Sequence, residues 1–203
     1  MTPRLDNSAF GEWLRVSRFI VILRGAEGDD AVQLAQRAWE LGAELVEIPL
    51  QTDANVAALE AVAAAARSAG RIVGAGTVTS IPLVRRAHAV GAAFTVAPGL
   101  DEEVATASHS QGMPHLPGVG TATEIHHSLR LGMTWLKAFP ASLLTPGWMT
   151  AMRGPFPDAR FVATGGINAT NAAAFLTAGA GAVALGTSFA TTSDEQLRAL
   201  FTG

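Results

Sequence analysis

The chain has 203 residues, 49% of them apolar and 15% charged, with a formal net charge of −3. This length and apolar content predict one domain over 1–203 with a sizeable core, and the acidic balance without a basic cluster argues against a nucleic-acid partner. The absence of cysteine removes disulfides, thiolate metal sites and cysteine nucleophiles.

The first residues, MTPRLDNSAFGEWLRVSRF, are amphipathic and have no long apolar core after their first charges, so they read as an N-terminal helix. No run reaches the roughly 18 apolar residues of a membrane span, and the expected setting is the cytoplasm without membrane contact. FIVILRG follows as a first strand. Asp29 and Asp30 then predict a capped helix with an apolar face of Ala31, Leu34, Ala35, Ala38 and Trp39. From there one pattern recurs: a helical run, a glycine, a short apolar strand. It appears as LGAELVEIPL, AGRIVGAGTV, VGAAFTVAPG, QGMPHLPGVG, LGMTWLKAFP, GPFPDARFVATGG and AGAGAVALGTS. Each unit is about 20 to 28 residues long, which suits one strand–helix step. Ser80 with Pro82 predicts one helix start and Gly91 its end, the alanine run 61–66 lies within a helix, and Asn168 or Thr170 starts another through Phe175 and Leu176. Eight strands alternating with helices predict an α/β fold, a compact (β/α)8 TIM barrel. An open doubly wound sheet is the alternative, but its glycine-rich loop belongs near the first strand, whereas Gly165-Gly166 comes late.

Barrel sites lie at the C-terminal strand ends. Those positions carry Arg24, Glu47, Thr77, Pro98, Pro117-Gly118, Lys137, Thr164-Gly165-Gly166, and Gly186 with Ser188. Lys137 is the only lysine; the other 13 basic residues are arginine, whose guanidinium cannot form a Schiff base. It sits in the apolar run WLKAFP, where burial lowers an amine's pKa and makes it nucleophilic, or where its stem snorkels to water. Strand alternation puts Leu45, Glu47 and Pro49 on one face and Val46, Ile48 and Leu50 on the other. Glu47 is a general acid/base candidate, or one half of a buried ion pair with Arg24. Gly165-Gly166 and Gly186-Thr187-Ser188 follow the seventh and eighth strands, where such barrels hold phosphate on backbone N–H groups. Thr77 is a candidate carboxylate donor or a plain strand residue. Pro98-Gly99 and Pro117-Gly118 shape loops. The five histidines have no metal-ligand spacing, so neither a metal nor another cofactor is expected.

Together VEIPLQT, VGAGTV, FTVAPG, LPGVGTATE, WLKAFPAS and FVATGGIN resemble the KDPG/KHG aldolase family, in order from Ile20 to Ser188. The resemblance implies a (β/α)8 barrel assembled as a homotrimer. It also implies cleavage of 2-keto-3-deoxy-6-phosphogluconate to pyruvate and glyceraldehyde 3-phosphate through a lysine Schiff base. Lys137 would form the iminium and Glu47 would shuttle protons. Thr77 and Arg24 would hold the carboxylate, and Gly165, Gly166 and Ser188 the phosphate. Some members carry arginine where this chain has Gln51, which is why Arg24 takes that role here. The galactonate epimer and 4-hydroxy-2-oxoglutarate are alternative substrates, VEIPLQ leaning to the former and Thr164 with GPFPDARFVATGGIN to the gluconate. A phosphate-binding isomerase or epimerase, or a non-catalytic sugar-phosphate sensor, would need no such lysine.

Overall fold

A computed structural model describes residues 4–202. The elements run α1 (Ala9–Trp13), β1 (Phe19–Ile22), α2 (Gly28–Glu40), β2 (Leu45–Pro49), α3 (Asp53–Ala69), β3 (Ile72–Gly76), α4 (Ile81–Ala89), β4 (Thr95–Val96) and α5 (Glu102–Ser110). Two short segments follow, β5 (His115–Leu116) and β6 (Gly118–Val119), then α6 (Ala122–Leu131), β7 (Trp135–Ala138) and α7 (Ala141–Arg153). The chain ends with β8 (Arg160–Thr164), α8 (Ala172–Thr177), β9 (Ala182–Leu185), α9 (Thr187–Thr191) and α10 (Asp194–Thr202). Among the described residues no helix is long and apolar enough to cross a membrane.

All ladders are parallel, in the order β5-β4-β3-β2-β1-β9-β8-β7-β6. The two ends of that order, β5 and β6, are separated in the chain by Pro117 alone, so covalent continuity closes the ring. β5 pairs β4 through His115 and Leu116, and β6 pairs β7 through Gly118 and Val119. Nine ladder segments therefore make eight staves. The expected fifth strand is split because proline has no N–H to give the ladder.

Strand alternation divides the apolar residues into two cores. Ile20, Ile22, Leu45, Phe94, Val96, Leu116, Val162, Ala182 and Ala184 fill the barrel, and Phe10 and Leu14 plug its floor. Val21, Val46, Ile48, Leu136 and Ala163 face the surrounding helices. The barrel interior is tight: a Cβ on Gly74 would overlap the Phe94 ring. The glycine-ended helices behave as expected, α3 stopping at left-handed Gly70 and α6 at Gly132. Two helix starts differ. Asp29 and Asp30 lie inside the first turn of α2, whose N-cap is Glu27. Asn168 and Asn171 instead bond each other's backbone N–H groups, and α8 begins only at Ala172.

His115 is a core histidine with a defined tautomer. Ser108 Oγ donates to Met113 O at 2.9 Å, so it accepts from Thr95 Oγ1 at 2.6 Å, and Thr95 in turn accepts from His115 Nδ1 at 2.7 Å. The proton is therefore on Nδ1, and the buried Nε2 has no partner among the described residues. Burial pushes the His115 pKa down to about 4 from 6.5, against a smaller opposing pull from Asp101. The unfolded chain binds this proton more readily, so His115 costs no stability above pH 6.5 and progressively more down to about pH 4. The gap corresponds to about 3 kcal/mol. Urea unfolding of the wild type and His115→Asn between pH 7.5 and pH 4.5 should show a steeper acid loss in the wild type; parallel curves would refute this assignment.

Candidate active site

Glu47 and Lys137 occupy the barrel mouth because each stands two residues above an inward-facing apolar residue of its own strand. Leu45 lies below Glu47 and Trp135 below Lys137, and both pack with the inner core. Thr164 stands in the same relation to Val162, and the ladder places Lys137 beside Val162 and Gly118. Glu47 is only 2% exposed and Lys137 only 3%. The lysine therefore does not snorkel; its Nζ lies 5.0 Å from the centre of the Phe139 ring. Loss of water pulls its pKa below the usual 10.5, and the nearby Arg24 charge pulls the same way, while Glu47 opposes both. Among the described residues no ion pair within 4 Å joins Glu47 to Arg24, so the buried-pair alternative fails.

The GAGT segment makes room for this carboxylate. A Cβ on Gly76 would overlap the Glu47 carboxyl group, so glycine is required there by space. The next residue, Thr77, lies beyond β3 with φ of 56° and is not a plain strand residue. A β-branched residue in that region is strained by about 1–3 kcal/mol, and such strain gathers at functional sites.

Beside this pair is a cavity of about 120 Å³ lined by Ile22, Arg24, Gly165, Gly166, Ile167, Ala184, Gly186 and Thr187. Gly165 and Gly166 both have positive φ, 96° and 76°, and a Cβ on Gly166 would stand 2.6 Å from Ser142 Cβ. Both the backbone conformation and the close FPAS loop thus demand glycine. Successive N–H groups in such a turn are able to hold an anion, and Arg24 lines the same cavity. A larger groove of about 960 Å³ between α4 and α5 contains none of these residues.

A buried amine, a buried carboxylate and a glycine-lined cavity meet at one barrel mouth. Residues 11–201 match the family model described as Aldolase: KDPG and KHG aldolase. The chain belongs to this family. It is an aldolase, a carbon–carbon lyase. The 2-dehydro-3-deoxy-phosphogluconate aldolase of Treponema pallidum is 36% identical over 81% of this chain and 78% of its own. A probable 2-dehydro-3-deoxy-6-phosphogalactonate aldolase of Rhizobium meliloti is 35% identical over 83% and 80%. Among solved structures, a 4-hydroxy-2-oxoglutarate/phosphogluconate aldolase from TTHB1 superposes with TM-score 0.82 and 36% identity, covering 94% of each chain. The KDPG aldolase of Legionella pneumophila, with pyruvate captured as a covalent carbinolamine, gives TM-score 0.81 and 27% identity over 95% and 96%.

The aldolase brings the sequence candidates together with some changes of place. Arg24, to which the resemblance gives the substrate carboxylate, lines this cavity, its Nε 3.5 Å from where a Gly186 Cβ would be, and its charge also acts on Lys137. Ser188 turns its hydroxyl away, donating to Ile167 O at 2.9 Å and tying the two glycine arms together. Thr187 holds the wall position that the sequence reading gave to Ser188. Its hydroxyl type was visible in GTS, but a one-residue offset cannot be read without the turn. Gly165 and Gly166 do not open a helix, since α8 begins six residues beyond Gly166. Thr164 is 1% exposed and its hydroxyl rests on Val162 O at 3.3 Å. Pro98 lies at the rim, where its carbonyl leaves no space for a side chain at Gly118. Gln51 is exposed and its N–H donates to Asn55 Oδ1, outside the cavity.

Proposed function

We propose that this aldolase cleaves 2-keto-3-deoxy-6-phosphogluconate through a Schiff base on Lys137. The observation that carries the reading is the burial of the sole lysine beside Glu47 at the top of the barrel. Deprotonated Lys137 Nζ adds to the C2 ketone, and loss of water gives the iminium. Glu47 removes the C4 hydroxyl proton, the C3–C4 bond breaks, and its electron pair moves into the iminium to form an enamine. Glyceraldehyde 3-phosphate leaves. Glu47 returns the proton to C3, and water hydrolyses the iminium to pyruvate and free amine. The carbinolamine in the Legionella relative supports this route.

Gly165, Gly166, Gly186 and Thr187 take the phosphate on their N–H groups, with Arg24 as its counter-charge and Ser188 bracing the arms. Thr77, Thr164 and the Pro98 rim surround the pyruvyl end. No cofactor or metal enters any step. The gluconate reading rests on Thr164 before Gly165-Gly166, since relatives named for the two epimers are almost equally similar. A homotrimer working in the cytoplasm completes the reading, on family resemblance.

Borohydride added with pyruvate should fix a reduced pyruvyl adduct on Lys137, seen by peptide mass; an unmodified lysine would refute the mechanism. Parallel kinetics should give the gluconate epimer the higher kcat/KM, and a preference for the galactonate would reverse the substrate assignment.

A further inference from the structure

The barrel has one defective seam, and an asparagine from the N-terminal segment fills it. Between β6 and β7 the parallel ladder is regular: Lys137 N donates to Pro117 O at 2.8 Å and Phe139 N to Val119 O at 3.1 Å. One repeat lower, the same pattern would have Trp135 N donate to His115 O and Trp135 O accept from the N–H of residue 117. Residue 117 is proline, so that second donor does not exist. The strands part there, leaving buried backbone groups without ladder partners.

Asn7 satisfies them. Its Oδ1 accepts from Trp135 N at 3.1 Å and Thr134 N at 3.0 Å, while its Nδ2 donates to Trp135 O at 2.8 Å and His115 O at 2.9 Å. Two N–H groups face one end of the carboxamide and two carbonyls the other, so its orientation is fixed by its partners. The side chain is 1% exposed. Its backbone is held on both sides, by Leu5 N on Leu131 O at 2.7 Å and by Phe10 in the barrel floor.

We propose that Asn7 is a positioning residue for the aldolase reaction: its carboxamide replaces the missing rung between β5 and β7 and thereby fixes the register and height of Lys137. The proposal rests on the Schiff-base reading of Lys137. Lys137 is two residues above Trp135 on the same face, and no other rung lies between the Asn7 bridge and the Lys137 N–Pro117 O bond. A loosened seam moves the amine relative to Glu47, which is carried by β2 on the far part of the ring.

The test compares wild type, Asn7→Ala and Asn7→Asp. The aspartate keeps the shape and the acceptor but removes both donors, so it serves even where the alanine variant fails to fold. Amide hydrogen exchange at Trp135 and Lys137 should quicken by about tenfold or more in the variants, while Val46 on β2 stays protected. With the phosphorylated substrate, kcat should fall by roughly 10²-fold, the scale of an ångström-sized misplacement, with little change in KM. Adding Pro117→Ala to Asn7→Ala supplies the absent N–H and should recover part of the lost kcat. Unchanged exchange at the seam, unchanged kcat in a folded Asn7→Asp protein, or a rise in KM alone would each overturn the proposal. Failure of wild-type borohydride trapping would sink the Lys137 reading instead, and would leave the exchange result standing on its own.

Discussion

Lys137→Arg should remove turnover and pyruvate trapping while the barrel still folds. Arginine keeps the positive charge beside Glu47 and much of the stem length, so loss of activity cannot be ascribed to charge. What it lacks is a nitrogen that gives up its proton in this pH range. The expected loss in kcat is on the order of 10⁶-fold, the scale seen when a covalent nucleophile is deleted. Circular dichroism and a cooperative thermal transition would establish the fold, with Lys137→Met as the second variant if the larger guanidinium does not fit. A variant that still turns over within tenfold of wild type would end the Schiff-base mechanism. The wild type also has a pH signature. Because burial and Arg24 hold the lysine pKa below 10.5, the neutral-amine fraction rises with pH with its midpoint below that value. The rate of borohydride trapping with saturating pyruvate should follow the same curve.

The barrel was legible because its signal repeats: a glycine between helix and strand precedes every apolar strand but the first, and alternation then sorts Leu45 and Glu47 inward from Val46 and Ile48. Glu47 and Lys137 could be paired from sequence because each lies near a strand's C-terminal end, and parallel strands bring those ends together. What could not be read is set by turns and side-chain reach. Arg24 ends the first strand, but the reach of its long side chain to Gly186 is set by the turn that follows. Thr187 and Ser188 exchange roles because one residue decides which hydroxyl faces the cavity and which meets Ile167 O. The sequence puts Pro117-Gly118 in a loop, whereas Pro117 splits a barrel stave and Gly118 belongs to β6, and the repair of that split was not legible either. Asn7 lies more than a hundred residues away, in a segment whose only sequence signal is amphipathicity.

Glu47→Gln should slow cleavage by roughly 10²–10⁴-fold, the usual contribution of a positioned general acid/base. The two side chains are nearly isosteric, so the space that Gly76 leaves for the carboxyl group is filled in the same way and the fold is preserved. The amide cannot accept the C4 hydroxyl proton or deliver one to C3, yet neither step precedes iminium formation. The decisive expectation is therefore a split between two measurements. Trapping of pyruvate on Lys137 should survive in Glu47→Gln, although its pH dependence should move lower because the carboxylate that favours the ammonium form is gone. Turnover and exchange of the pyruvate methyl protons with solvent deuterium should both collapse together, since each passes through the same proton transfer at C3. If the variant loses trapping as well as turnover, Glu47 acts by holding or orienting the amine; if methyl exchange persists at the wild-type rate, another group carries the proton. Only retained trapping with lost exchange assigns the shuttle to this carboxylate.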